Sequence, residues 1–289
     1  MAQHVRDREG SAAGGFLARP TVAKTVLVVV AYLAFYLLVG WLTGLLAGDE
    51  IDRDDVLATA PSVFFALVLP VGIGAAALLA FVSALGWRRE IFGRQPVPAG
   101  AAPARSWMWI APVLVLLAVA GHATAIDPGA WDAGQVAVIL LAGVCIGFAE
   151  ELATRGVAVK MLRDSGRSER FVMVVSSLLF ALMHSVNALS GMPLTTVLST
   201  LVYTFGFGVC MYLAMRVTGT LWTPIVLHAL TDPTTFLATG GLDEHATGHT
   251  AGAGSAVLTL TGTVLMLVFA LVAIPLVGRG ARPAGQSPD

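Results

Sequence analysis

Six ionisable side chains lie inside long apolar runs of the chain, where a charged group is costly to hold. Such groups usually face the interior of a helix bundle or a water-filled cavity, and they mark sites of proton transfer, ion passage or catalysis. Carboxylates and histidines together can exchange a proton with water. The candidate site residues are Glu150, Glu151, Arg155, His184, His228 and Asp232.

The fourth apolar run holds two adjacent carboxylates and an arginine. Glu151 and Arg155 are four residues apart, so on a helix they share a face and can form an ion pair. Glu150 points about 100° away around the same helix. The spacing predicts that Arg155 holds Glu151 in a structural pair and leaves Glu150 to take a proton from water. Gly143 and Gly147, one turn apart, predict the close approach of a second helix.

Two further runs supply the histidines. Phe180 and His184 are four residues apart, and His228 and Asp232 repeat that spacing, so each pair shares a helix face. Pro233 predicts an interrupted helix beside Asp232, with open backbone carbonyls or a cavity. The site residues of the three helices fall roughly 10 to 14 residues from a cytoplasmic helix end, which places them together near mid-bilayer. The alternative is that these groups form structural pairs that only satisfy one another.

The composition is that of a membrane protein. The chain has 289 residues, of which 56% are hydrophobic and 12% charged, with a mean hydropathy of +0.81; a soluble domain is about 25% charged. The apolar runs are continuous and about 20 residues long, enough to cross a bilayer as helices. We predict an all-α integral membrane protein, an eight-transmembrane-helix bundle with an intramembrane polar cavity. The spans are 25–47, 61–86, 106–124, 135–160, 171–190, 194–216, 220–238 and 255–277.

The charges alternate from one connection to the next. Of the 17 basic residues, all but Arg53 and Arg155 fall in the N-terminal tail, in alternate connections or near the C-terminus. Because Lys and Arg concentrate on the cytoplasmic side, we predict a multi-pass protein of a bacterial inner or plasma membrane with both termini cytoplasmic. We divide it into a tail 1–24, a membrane domain 25–278 with a catalytic core 135–238, and a tail 279–289. His245 and His249 fall in a Gly/Thr-rich connection and are expected to be solvated.

Three ordered motifs carry a resemblance to a known family. The sequences Glu150-Glu151-x-x-x-Arg155, Phe180-x-x-x-His184 and His228-x-x-x-Asp232 resemble those of the CAAX prenyl endopeptidases and the bacteriocin-processing (Abi-type) membrane proteases. The resemblance extends to the eight-helix topology. It implies an intramembrane endopeptidase that hydrolyses a peptide bond in a membrane-associated protein or peptide. The depth of the site residues along their helices predicts cleavage in the cytoplasmic half of the bilayer.

The resemblance also implies catalytic roles for four of the candidate residues. Glu150 and His184 would activate the attacking water, and His228 and Asp232 would stabilise the oxyanion of the tetrahedral intermediate. Some members carry Asn at the position of Asp232, and an ionised carboxylate there would repel an oxyanion. Either Asp232 is protonated, or it orients His228. We expect no cofactor to be required. The alternative is a divalent metal such as zinc, for which Glu150, His184 and His228 are the candidate ligands.

Two other functions fit buried carboxylates and histidines. One is a proton-coupled transporter, although the chain has no visible repeat with matched broken helices. The other is a catalytically inactive immunity or scaffold protein that binds a membrane partner. The expected partners are a membrane-associated protein or peptide substrate and the lipid bilayer; the formal net charge of −1 gives no nucleic-acid footprint. Neither the substrate nor the oligomeric state can be predicted from the sequence.

Overall fold

The computed structural model describes residues 12–95, 103–242 and 253–278, and all regular structure within these ranges is helical. His245 and His249 lie outside the described residues, as do residues 1–11 of the N-terminal tail and the whole C-terminal tail 279–289. A long helix occurs at each of the eight predicted positions. We label them in chain order α1 (Val22–Leu46), α2 (Ala60–Ala84), α3 (Ser106–Ala125), α4 (Ala133–Asp164), α5 (Glu169–Met183), α6 (Leu194–Thr218), α7 (Trp222–Thr239) and α8 (Ala253–Leu276).

Six helices in the described ranges, α1 to α6, are long and apolar enough to cross a membrane, with the α5 span continuing to Leu189. Large apolar side chains such as Leu46, Trp41 and Leu194 are exposed on the outside of the bundle, as expected where lipid replaces water. The chain is therefore a helical protein that crosses a membrane several times. Helices α7 and α8 are not among these six, so the count of eight crossings stays a prediction.

The connections form two sets at opposite ends of the bundle. Within the described residues, the odd connections follow α1, α3, α5 and α7 (47–59, 126–132, 184–193 and 240–242), and the even connections follow α2, α4 and α6 (85–95 with 103–105, 165–168 and 219–221). Gln135 at the start of α4 donates to Leu57 O in the first odd connection at 3.0 Å. Trp131 Nε1 in the second odd connection donates to Leu237 O near the end of α7, also at 3.0 Å.

The even connections are tied together in the same way. Gln95 N donates to Gly219 O at 2.8 Å, and Arg163 Nη1 donates to Gln95 Oε1 at 2.8 Å. The buried carboxylate of Glu169 accepts two hydrogen bonds from Arg163, at 2.9 Å each, and others from Tyr212 and Arg216. Each end of the bundle is thus fastened by its own polar contacts, with the site between them.

Helices α4 and α7 pack closely against each other, and two glycines of α4 make this close approach possible. A Cβ added at Gly143 would lie 2.5 Å from Pro233 Cδ, and one at Gly147 would lie 2.7 Å from Ala229 N. Both distances are far inside van der Waals contact, so only glycine permits this approach. The predicted close packing at Gly143 and Gly147 is confirmed, with α7 as the partner.

Two local predictions need correction, and one local feature was not predicted. Helix α7 runs unbroken through Pro233 to Thr239, because the proline ring packs against Gly143 of α4 and the neighbouring helix supports it. Helix α5 ends at Met183, and 184–190 form a 3₁₀ turn, so His184 lies at a helix end and not inside a long helix. Within α4 a π-helical segment, Leu152–Ala158, follows the two glutamates, and such segments are frequent at functional sites.

Candidate active site

The polar centre of the site is the imidazole of His228 on α7, which is 3% exposed. Its Nδ1 lies 3.0 Å from Glu151 Oε1, and its Nε2 lies 3.4 Å from Asp232 Oδ2 and 3.8 Å from Glu150 Oε2. The last distance is too long for a hydrogen bond. Because α4 and α7 pack so closely at the two glycines, both carboxylates of the Glu-Glu pair reach this one ring.

Glu151 and Arg155 form the predicted ion pair, with Arg155 Nη1 3.0 Å from Glu151 Oε1 and both side chains fully buried. Glu151 Oε1 therefore has two partners, because it also accepts from His228 Nδ1. Spacing within α4 revealed the first partner. It could not reveal the second, since that contact joins two helices 77 residues apart in the chain.

Phe180 is the aromatic centre of the site. Its ring centroid lies 4.5 Å from the guanidinium carbon of Arg155, a cation–π contact that a desolvated site strengthens. The same ring meets the imidazoles of His184 and His228 edge-on, with centroid distances of 5.0 and 5.7 Å. Phe207 of α6 packs edge-on against His228 at 5.1 Å. Phe180 therefore contacts three of the candidate polar groups: Arg155, His184 and His228.

His184 is held by its own helix. Its Nδ1 lies 3.1 Å from Phe180 O. A carbonyl oxygen only accepts, so Nδ1 carries the proton in this contact and Nε2 is the nitrogen that can accept one. The helix end thus fixes both the position of the ring and its tautomer.

A cavity of about 430 Å³ joins these groups. Glu150, His184, His228 and Asp232 all line it, whereas Glu151 and Arg155 do not. Glu150 and Asp232 keep partial access, with 22% and 16% of their side chains exposed. The structure thus brings all six predicted residues together and divides them into four that face the cavity and two that lie behind it.

The cavity also has walls that the motifs do not predict. Tyr32 and Tyr36 of α1 and Tyr203 of α6 line it, and the remaining walls are mostly apolar. Tyr32 and Tyr36 have the same four-residue spacing as the motif pairs, and this spacing was the sequence feature that could have indicated their place at the cavity. It is a weak signal, because a tyrosine in an apolar helix is common and uncharged.

The predicted metal ligands do not fit a metal ion as they are placed. Among the residues that the structure describes, no three His, Cys, Asp or Glu side chains are grouped to hold one. His228 Nδ1 lies 3.0 Å from Glu151 Oε1 and its Nε2 lies 3.4 Å from Asp232 Oδ2, so both nitrogens already face carboxylates.

The chain was compared with known families, curated proteins and solved structures. Residues 132–234 match the family model described as type II CAAX prenyl endopeptidase Rce1-like. This segment contains all six candidate residues, and the match confirms the resemblance that the three motifs predicted. It points to a peptide hydrolase acting on a membrane-associated protein or peptide. No curated protein and no solved structure matches the chain.

Proposed function

We propose that this chain is an intramembrane endopeptidase, because residues 132–234 match the type II CAAX prenyl endopeptidase Rce1-like family model. It hydrolyses a peptide bond in a membrane-associated protein or peptide with water as the nucleophile and without a required cofactor. One observation carries the proposal. The four groups that the reaction needs line a single cavity at the centre of the helix bundle.

Glu150 and His184 activate the water. The Glu150 carboxylate is partly exposed to the cavity and accepts a proton as the water oxygen attacks the peptide carbonyl. His184 contributes Nε2, because Nδ1 is bonded to Phe180 O, and so can orient the water or relay its proton. A positioned general base typically accelerates a reaction by about 10²- to 10⁴-fold.

His228 and Asp232 stabilise the negative charge that develops on the carbonyl oxygen. A carboxylate oxygen accepts hydrogen bonds, so His228 donates to Glu151 Oε1 through Nδ1. His228 Nε2 and Asp232 Oδ2 are 3.4 Å apart, and in this proposal they share a second proton. Whichever of the two atoms holds that proton can donate it to the oxyanion. This arrangement combines the two roles considered for Asp232, as an orienting group and as a protonated donor.

Glu151 and Arg155 are positioning residues. They lie behind His228, have no access to the cavity and hold the imidazole at a fixed orientation. Arg155 forms an ion pair with Glu151, and its guanidinium is itself held against the ring of Phe180. The Glu-Glu pair thus divides into one carboxylate that meets the substrate and one that supports the site.

The cavity walls favour a substrate segment with apolar side chains. Ile146, Met183 and Phe236 line the cavity beside the polar groups, so an extended peptide could bury apolar side chains next to its scissile bond. CAAX-type and bacteriocin or leader-type substrates both meet this description, and identifying the new peptide termini distinguishes them.

The test maps peptide termini across the membrane proteome by mass spectrometry. Cells that carry the natural sequence are compared with cells that carry Glu150→Ala at matched abundance. The matched control is Glu50→Ala, which removes an exposed carboxylate from an odd connection. We expect termini that appear with the natural sequence and with Glu50→Ala but not with Glu150→Ala, and that persist in chelator-treated membranes.

Identical termini in all three strains, in cells where Glu150→Ala still abolishes a phenotype, would contradict proteolysis and favour binding or transport. Termini that disappear with chelator would retain the protease and show that it requires a metal.

A further inference from the structure

The cavity opens towards one end of the bundle only. Val56, Asn187, Leu189 and Met192 belong to odd connections, Leu242 to the last of them, and all five line the cavity. Among the residues that the structure describes, none from an even connection lines it. The mouth is therefore at the odd-connection end.

The lining residues follow a path from this mouth to the catalytic groups. On α7 they run inward from Phe236 through Asp232 to His228, a rise of about 12 Å at 1.5 Å per residue. On α6 they run from Thr204 to Phe207, whose ring packs against His228. The catalytic groups thus form the floor of a funnel.

The chain beyond this floor is closely packed. Every residue from Glu151 to Val159 on α4 is buried, and so is every residue from Gly206 to Met215 on α6. The bonds of Glu169 with Arg163 and Arg216 then fasten the even-connection end.

The charges assign the two ends to the two sides of the membrane. The odd connections carry nine acidic residues and a single basic one, Arg53, whereas the even connections and the adjoining helix ends carry clusters of arginine. Lys and Arg concentrate in cytoplasmic loops. The even-connection end is therefore cytoplasmic, and the mouth of the cavity faces the other side.

We infer that substrate reaches this active site from the extracytoplasmic face. This inference rests on the proposed function and adds the substrate class: a membrane-associated polypeptide whose cleaved segment lies in the outer half of the bilayer. A polypeptide anchored only at the cytoplasmic surface would face the closed end. The expected location of cleavage in the cytoplasmic half is thereby replaced, because depth along single helices did not reveal on which side the cavity opens.

The test uses single cysteines and a membrane-impermeant maleimide on sealed spheroplasts. Cys145 and Cys210 are free thiols, so both are first replaced by alanine. Ala66→Cys then places a thiol on the cavity wall, Leu189→Cys at the mouth, and Arg89→Cys on an exposed site of an even connection.

We expect the Ala66 and Leu189 variants to react to the same extent before and after permeabilisation, and the Arg89 variant to react only afterwards. Leu67→Cys, also on the cavity wall, replaces Ala66→Cys if that variant fails to accumulate. Reaction of the wall thiols only after permeabilisation would overturn the inference. So would reaction at Leu189→Cys without reaction at either wall position.

Labelling does not depend on catalysis, so the inference and the proposed function fail separately. In the Ala66→Cys strain, external maleimide should also stop the appearance of the Glu150-dependent termini. Termini that continue to form after complete wall labelling would contradict access through this mouth while leaving the protease intact. If no Glu150-dependent termini exist, the protease is wrong, and labelling still reports the face on which the cavity opens.

Discussion

Glu150 and Glu151 provide a test in which the same substitution at adjacent residues should have opposite effects. Each is replaced by glutamine, which removes one negative charge at nearly constant volume. Glu151 is fully buried, whereas Glu150 faces the cavity with 22% of its side chain exposed. We expect Glu151→Gln to lower the stability of the protein and Glu150→Gln to remove activity while leaving stability nearly unchanged.

The contacts of Glu151 set the size of the effect. Its Oε1 accepts from Arg155 Nη1 and from His228 Nδ1, both at 3.0 Å, and Arg155 is also fully buried. Removing one partner of a buried ion pair costs about 3–5 kcal/mol. The glutamine oxygen still accepts a hydrogen bond, so we expect a loss near the lower limit, about 3 kcal/mol, or roughly a 100-fold change in the unfolding equilibrium.

Glu150 has no comparable contact with His228. Its Oε2 lies 3.8 Å from Nε2 of that ring, which is too long for a hydrogen bond, so the glutamine breaks no direct bond with His228. The free energy of unfolding of Glu150→Gln should therefore stay within about 1 kcal/mol of the natural sequence.

The assay measures thermal unfolding of the purified protein in one detergent, as the fraction that remains monodisperse on gel filtration after heating. A loss of about 3 kcal/mol should lower the midpoint by about 6 °C or more, and the midpoint of Glu150→Gln should lie close to that of the natural sequence. Equal midpoints for Glu151→Gln and the natural sequence would refute the reasoning, because Arg155 would then tolerate the loss of its buried partner. Equal losses in both variants would refute the division of roles between the two carboxylates.

Two further predictions follow from the contacts of α7. Gly147→Ala places a Cβ 2.7 Å from Ala229 N, a backbone atom that cannot move aside as a flexible side chain can. It should therefore lower the free energy of unfolding by about 1–3 kcal/mol in the same assay. Gly44→Ala, with open space around it, is the matched control and should leave the protein equally or more stable. Asp232→Asn keeps an acceptor for His228 and adds an amide donor, so the rate of terminus formation should stay within about 10-fold of normal, whereas Asp232→Ala should lose about 10²- to 10³-fold. Unfolding of Gly147→Ala at the midpoint of the control would contradict close packing of α4 on α7, and equal losses in the two Asp232 variants would show that the site needs a carboxyl group.

The sequence by itself determined the helices and the identity of the candidate residues. Continuous apolar runs can satisfy their backbone groups in lipid only as helices, so the eight helix positions could be read from hydropathy to within a few residues. The cost of charge at membrane depth singled out the six polar groups. The Glu151–Arg155 pair was also predictable, because the two residues belong to one helix and its periodicity fixes their relative direction.

Tertiary structure alone decided how the three helices combine. That His228 donates to Glu151 and that Phe180 contacts Arg155 and His228 are contacts between helices distant in the chain. The packing of the helices also decides that Glu150 faces the cavity while Glu151 does not. Spacing within one helix says nothing about the rotation of another. The same limit applied to Pro233, where packing against Gly143 outweighed the local tendency of proline to end a helix. It also applied to the mouth of the cavity, because the mouth depends on how connections far apart in the sequence meet at one end of the bundle.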